Sequence, residues 1–153
     1  MAQCELLVVD DQHHQRQSLK QLLHLSGYTN VELASDGDEA IRKLQNSTTH
    51  LILLDLQMPG TTGLNVLEFH QQTNCDSEVI VISGETSFPW VKEAMRLGAY
   101  DYILKPFDIP EMLGLIEQAL EVGRLAREHV EMGGEPTAAP AGSLRGNSRA
   151  MNS

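Results

Sequence analysis

The 153-residue chain is long enough for one domain with a sizeable core, and 41% of its residues are hydrophobic. No apolar run approaches the roughly 20 residues that a membrane-spanning helix needs, and the amino terminus lacks the sections of a signal peptide. We therefore expect a soluble, cytoplasmic protein without a membrane partner. Eleven Lys and Arg against 21 Asp and Glu give a net charge of −10, which disfavours nucleic-acid binding through phosphate contacts. Cys4 and Cys75 form no metal-binding pattern, so we expect two reduced thiols.

Short apolar runs alternate with amphipathic stretches along most of the chain. Runs that are apolar at every position are typical of strands buried on both faces, and five alternations with right-handed crossovers predict an α/β fold with a doubly wound, five-stranded parallel sheet and five helices. In chain order the predicted strands are Leu6–Val9, Val31–Ala34, Leu51–Leu54, Val79–Ile82 and Tyr102–Leu104, and the helices centre on Leu19–Leu23, Ala40–Leu44, Leu64–Leu67, Val91–Met95 and Ile109–Leu120. Gly27 and Gly98 are predicted helix stops.

Polar side chains follow four of these strands directly. Asp10 and Asp11 come after the first strand, Asp55 after the third, Ser83 after the fourth and Lys105 after the fifth. Because ligands of such sheets bind beyond the carboxyl ends of the strands, we expect the five side chains to meet at one edge. Each alone is ordinary as a helix cap or a solvated charge. Together they are hard to explain as caps, since neither Asp55 nor Lys105 opens a helix directly.

This combination of side chains supports phosphoryl chemistry. Three neighbouring carboxylates repel one another, which raises the pKa of at least one of them unless a cation is present. Mg²⁺ suits a site with few carboxylates and open water positions. A carboxylate beside that metal can attack phosphorus, while Lys105 and Ser83 can hold the phosphoryl oxygens. The sequence therefore predicts reversible phosphorylation of an aspartate.

Five sequence motifs, spread from about Glu5 to about Leu120, together resemble the receiver domain of two-component response regulators. They are Val8–Asp11, Leu53–Gly60 followed by Gly63, Val81–Gly84, Glu93–Ala99 and Asp101–Phe107. The resemblance implies a flavodoxin-like fold and a phosphoryl donor that is a sensor histidine kinase or a phosphotransfer protein. It also implies that the domain is no enzyme toward other substrates and catalyses only its own phosphorylation and dephosphorylation.

The resemblance also implies the roles of individual residues. Asp55 would be the phosphoacceptor. Asp11 would bind Mg²⁺ directly and Asp10 mainly through water, with Asp55 and the backbone carbonyl of Gln57 as further ligands. Lys105 would contact the phosphoryl group, and its bond to Pro106 would be cis.

A second set of residues is implied in switching and tuning. Ser83 and Tyr102 would be the switch pair, because the hydroxyl moves toward the phosphate and the ring follows it inward. Gly84 stands where alanine is frequent in the family. Gln57 and Glu85 are side chains that flank the site and would tune the phosphoryl lifetime.

Four further side chains are candidates for a functional role. His13 and His14 follow the acidic pair, but at the start of a helix we expect them to be solvated rather than metal ligands. His70 lies on the apolar side of the third helix and is predicted to be packed. Trp90 fits either the core or a contact surface.

The chain is predicted to have three parts: a receiver domain over 1–122, a helical extension over 123–132 and a flexible linker over 133–153 that leads to an output domain. The apolar seam of the extension could pair with a second copy as a short coiled coil or remain solvated. Switching would then shift the balance between monomer and homodimer, or change the geometry of the linker, through the face formed by the fourth helix, fifth strand and fifth helix. Gly146–Met151 is similar to the opening of the AAA-type ATPase module in sigma-54-dependent activators, but cyclic-dinucleotide enzymes, kinases and phosphatases also remain open as outputs.

Two other function classes compete with the switch. A phosphate-independent interaction or dimerisation module would keep the fold without the reaction, although the intact set of five polar residues argues against it. The other class is a true enzyme on a similar sheet, such as a nucleotide-dependent oxidoreductase or a phosphohydrolase, and a dinucleotide or P-loop site would need a phosphate cradle. Neither GxGxxG after the first strand nor GxxxxGK[ST] occurs in the sequence.

Overall fold

The computed structural model describes residues 5–46, 48–58, 63–73, 76–84 and 88–131. In chain order the elements are β1 (Glu5–Val9), α1 (His13–Leu25), β2 (Asn30–Ala34), α2 (Gly37–Asn46), β3 (Leu51–Asp55), α3 (Gly63–Gln72), β4 (Glu78–Ser83), α4 (Phe88–Arg96), β5 (Asp101–Leu104) and α5 (Ile109–Glu131). Both cysteines, Glu85, the linker over 133–153 and the Gly146–Met151 match lie outside the described residues.

The strands form one parallel sheet in the order β2-β1-β3-β4-β5. From β1 the chain places β2 on one side of the sheet, and then β3, β4 and β5 on the other side. The adjacent carboxyl ends of β1 and β3 are therefore the topological switch point, where such sheets bind ligands. The register keeps these ends level, because Val9 pairs with Leu54 and Leu54 pairs with Val81. The predicted doubly wound α/β fold is confirmed.

Alternate residues of each strand belong to two separate hydrophobic cores, one on each face of the sheet. Leu7 and Val9 belong to the core under α2, α3 and α4, whereas Leu6 and Val8 belong to the core under α1 and α5. Burial on both faces explains why these strands are apolar at every position. The helices need only one apolar stripe each.

Two glycines end helices as the sequence predicts. Gly27 and Gly98 both have φ of 103°, a left-handed conformation that side chains disfavour. α5 is the longest element, with 23 residues, and continues past residue 122 to Glu131. Within the described residues, no helix combines the length and apolar character needed to cross a membrane.

Candidate functional site

Three carboxylates meet at the switch point of the sheet. Asp10 and Asp11 follow β1 directly and Asp55 is the last residue of β3. One oxygen from each carboxylate can be chosen so that all three lie within 4.8 Å of one another. For the three carboxylates, the meeting predicted from the strand ends is therefore present in the structure.

Asp10 is almost completely buried. Only 2% of its surface is exposed, and its Oδ1 accepts a hydrogen bond of 2.9 Å from the backbone N–H of Gln12. Burial, followed by the negative charges of Asp55 and Asp11, raises the pKa of Asp10, although the Gln12 N–H and the Lys105 ammonium act in the opposite direction. Repulsion among the three acids thus disfavours ionisation of a carboxyl that burial already disfavours.

Asp55 is equally buried and is held at both of its oxygens. Its Oδ1 accepts a hydrogen bond of 2.9 Å from the backbone N–H of Gln57. Its Oδ2 lies 3.3 Å from Nζ of Lys105. Asp55 therefore presents a fixed carboxylate beside an ammonium group.

The position of Lys105 depends on β4 as well as on its own strand. Its backbone N–H donates to the carbonyl of Ser83 over 2.8 Å, and the Lys105–Pro106 peptide bond is cis, as predicted. Nζ also donates to Oε1 of Gln15 on α1 over 3.2 Å. Gln15 was not predicted from the sequence. Its only signal was its position four residues after Asp11, a spacing that brings side chains close together within a helix.

The predicted switch residues lie on the neighbouring strands β4 and β5. Ser83 is fully buried, and its hydroxyl donates to the carbonyl of Gly84 over 3.0 Å. Tyr102 pairs in register with Val81 and packs against the same core as that residue. Since Val81 and Ser83 are two residues apart, they share one face of the sheet with the Tyr102 ring.

Gly84 and Gln57 are matched to one another. A Cβ built on Gly84 would lie 3.1 Å from Oε1 of Gln57, which is tighter than ordinary contact. An alanine at this position would therefore require the end of the Gln57 side chain to shift by a few tenths of an ångström.

The remaining candidates stay apart from the acidic cluster. His13 and His14 are exposed at the start of α1, as predicted. Nε2 of His70 lies 2.7 Å from the carbonyl oxygen of Ser77, so His70 has a structural partner. Trp90 is 56% exposed, which favours a contact surface over the core.

Comparisons with known proteins agree with this architecture. The family model described as "Response regulator receiver domain" matches residues 6–117. The C4-dicarboxylate transport transcriptional regulatory protein DctD of Pseudomonas aeruginosa is 35% identical over 128 residues, which cover 84% of this chain and 28% of DctD. Response regulator MprA of a Mycobacterium species is 36% identical over 115 residues, which cover 75% of this chain and 50% of MprA.

A crystal structure of NtrX from Brucella abortus superposes with a TM-score of 0.78 at 30% identity, and the match covers 86% of this chain and 30% of NtrX. The chain thus spans little more than a quarter of the length of DctD and half that of MprA.

Proposed function

The chain belongs to the family of response regulator receiver domains of two-component systems, and on this basis we propose that it is a phosphorylation-activated switch whose phosphoacceptor is Asp55. The observation that carries the proposal is the buried Asp55 carboxylate, fixed between a pair of acids and Lys105. A sensor histidine kinase or phosphotransfer protein would be the donor. The cytoplasm is the proposed location of the exchange.

The donor set of the site fits Mg²⁺. Carboxylate oxygens are ligands that this ion prefers, and ligands at about 2.1 Å from one ion lie roughly 3 to 4 Å apart. Asp10, Asp11 and Asp55 offer oxygens within 4.8 Å of one another. We assign these three residues and the backbone carbonyl of Gln57 as the residues that would hold the ion. Bound Mg²⁺ would supply positive charge to the phosphoryl oxygens and relieve the repulsion among the acids.

The covalent step forms one bond and breaks another. An oxygen of Asp55 forms a bond to phosphorus while the bond between phosphorus and the donor breaks. The electron pair of the broken bond leaves with the donor, which is a histidine nitrogen in a protein or an acetate oxygen in acetyl phosphate. The ammonium group of Lys105 would neutralise charge on the transferred group. The Ser83 hydroxyl can donate a hydrogen bond to one phosphoryl oxygen.

Occupation of Asp55 would alter a distant surface through Ser83 and Tyr102. In the structure the hydroxyl is bonded to the carbonyl of Gly84. A bond to a charged phosphoryl oxygen is stronger than this neutral one, so phosphorylation would draw the hydroxyl away. The face formed by α4, β5 and α5, which carries the exposed side chains Trp90 and Leu104, would then change as the Tyr102 ring moves inward. We propose this face as the homodimer contact.

We propose that the receiver domain over 1–122 is joined through an extension over 123–132 and a linker over 133–153 to a C-terminal output domain, to which it relays the signal. DctD is named as a transcriptional regulatory protein and is several times longer than this chain. That name favours a transcriptional output, and a sigma-54-dependent AAA-type module is the specific candidate. Direct nucleic-acid binding is not proposed for the receiver domain, whose net charge is strongly negative.

The proposal is tested by the chemical nature of the modification. Incubation with acetyl phosphate and Mg²⁺ should add one phosphoryl group that hydroxylamine removes, because an aspartyl phosphate is an acyl phosphate. EDTA should prevent the addition. A hydroxylamine-resistant phosphate would place the modification on another residue type. No modification with an intact fold would favour the phosphate-independent interaction module.

A further inference from the structure

The ammonium group of Lys105 donates hydrogen bonds to two side chains. Nζ lies 3.3 Å from Oδ2 of Asp55 and 3.2 Å from Oε1 of Gln15. An ammonium group only donates hydrogen bonds, so the amide oxygen of Gln15 must be the atom that faces it. Within the described part of the chain, Asp55 and Gln15 are the side-chain acceptors of Lys105.

We propose that Gln15 is a positioning residue for phosphoryl transfer, which holds the Lys105 ammonium ready to leave Asp55 for the incoming phosphoryl group. This inference rests on the proposed function of Asp55 and Lys105. Gln15 does not touch the reacting atoms and takes no part in the covalent step.

The need for a second acceptor follows from the change in charge at Asp55. Before transfer, the carboxylate is anionic and attracts Lys105. After transfer, one oxygen of Asp55 is bonded to phosphorus and the negative charge lies on the phosphoryl oxygens, so the ammonium must shift its bond to them. Gln15 keeps the ammonium in place during that shift without adding an anion that would repel the phosphoryl group.

The location of Gln15 suits such a role. It is half-buried on the first turn of α1, where it lines a groove of about 610 Å³ between α1 and the start of α5 together with Leu19, Leu22 and Phe107. Gln15 therefore lies beside apolar side chains of the groove, while its amide oxygen accepts the hydrogen bond from Lys105. A methionine fits the same space with similar length but offers no comparable acceptor.

The first test is the rate of phosphorylation by acetyl phosphate in the full 153-residue chain. Gln15→Met should lower the maximal rate about threefold to tenfold, the range expected for loss of one typical intramolecular hydrogen bond, with little change in the half-saturating donor concentration. The control is Gln17→Met, on an exposed position of the same helix, which should leave the rate unchanged. Equal rates for wild type and Gln15→Met would overturn the proposal.

A double-mutant comparison separates positioning from a general structural effect. In a Lys105→Ala background, Gln15→Met should cause no further loss, because the group it positions is gone. A further loss of the same size as in wild type would show that Gln15 acts without Lys105 and would contradict the inference.

A second readout does not depend on phosphorylation. In the metal-free protein, the ¹⁵Nζ–¹H signals of Lys105 should show faster exchange of the ammonium protons with water in Gln15→Met than in wild type or Gln17→Met. Unchanged exchange would contradict the proposed hydrogen bond. If wild type is not phosphorylated although the exchange differs as expected, the proposed function fails while the Gln15–Lys105 contact stands.

Discussion

In the acidic cluster, the ionisation of a single residue, Asp10, affects the stability of the protein. Asp10 is almost fully buried, and burial together with Asp55 and Asp11 raises its pKa. Without a cation, ionisation of this carboxyl opposes folding, because the native state binds its proton more tightly than the unfolded chain does. A bound divalent ion reverses the balance by stabilising all three acids in their charged form.

Mg²⁺ should therefore stabilise the protein. Binding to the native state adds RT ln(1 + [L]/Kd), about 1.4 kcal/mol at a metal concentration of ten times Kd. Thermal melts with and without millimolar-scale Mg²⁺ measure this difference, and Asp11→Ala should remove most of it. Identical wild-type melts in Mg²⁺ and EDTA would argue against the metal site.

Titration of His50 should make the stability of the protein depend on pH, independently of the acidic cluster. Its Nδ1 accepts a hydrogen bond of 2.9 Å from the backbone N–H of Glu5, and burial followed by the charge of Arg127 lowers the pKa of His50 from its usual 6.5, although Glu5 acts in the opposite direction. Between these two pKa values the unfolded chain binds more protons than the native one. Stability should thus fall as pH falls below about 6.5 toward the lowered pKa.

The measurement is urea unfolding at several pH values. His50→Gln keeps an acceptor for the Glu5 N–H but does not titrate, so this part of the pH dependence should disappear. His24→Gln, at an exposed position of α1, should retain it. The same pH profile in His50→Gln and wild type would refute the assignment.

At the residue level, the sequence predicts the five polar side chains at strand ends because strand ends are visible as breaks in apolar runs. It does not predict Gln15, because nothing local marks a glutamine in a polar helical turn. Its contact with Lys105 joins residues 90 positions apart and exists only after α1 and the end of β5 are brought together. Nor does the sequence reveal that Gln57 fills the space beside Gly84.

At the level of elements, Gly63 controls the approach of α3 to β3. A Cβ on Gly63 would lie 2.9 Å from the backbone oxygen of Asp55 and 3.1 Å from Cα of Leu56. These are backbone atoms, so they can yield only if the strand end itself moves. The start of α3 is thus packed directly against the segment that carries Asp55.

Gly63→Ala should destabilise the domain by about 1–3 kcal/mol, the usual cost of forcing extra atoms into a packed site, and should slow phosphorylation. Gly114→Ala is the matched control, since a Cβ there meets no atom within 4 Å and alanine favours the interior of α5. It should stabilise the protein by roughly 0.5–1 kcal/mol. Chemical denaturation measures both changes, and equal stability of the two variants would contradict this view of the α3–β3 contact.

Element boundaries were predictable where the chain changes character sharply. The fourth predicted strand, Val79–Ile82, lies within β4, and Gly98 closes α4 as expected. The start of β1 was less visible, because Glu5 is polar and joins the sheet through backbone pairing with Asn30. Backbone pairing of this kind leaves no hydrophobic signal in a sequence.

At the scale of the whole molecule, alternation of strands and helices predicts the class of fold but does not by itself fix the strand order. The order β2-β1-β3-β4-β5 places β1 beside β3, and this adjacency brings the acid pair to Asp55. The family resemblance supplied that expectation, and the structure confirms the fold.

A global response to phosphorylation should be visible at Trp90. Beryllofluoride, a mimic of the phosphoryl group, should change Trp90 fluorescence and shift the sedimentation of the protein toward a dimer, because the Ser83–Tyr102 rearrangement alters the α4-β5-α5 face. Ser83→Ala should still be phosphorylated but should respond less. If neither signal changes while Asp55 is occupied, the output must act through another face.

Intact-mass spectrometry after treatment with acetyl phosphate and Mg²⁺ tests whether Asp55 is the phosphoacceptor. We predict that wild type gains the mass of one phosphoryl group and that Asp55→Asn, which keeps the shape of the side chain but loses the nucleophilic carboxylate, gains none. Equal phosphorylation of wild type and Asp55→Asn would contradict the assignment of Asp55 as the phosphoacceptor.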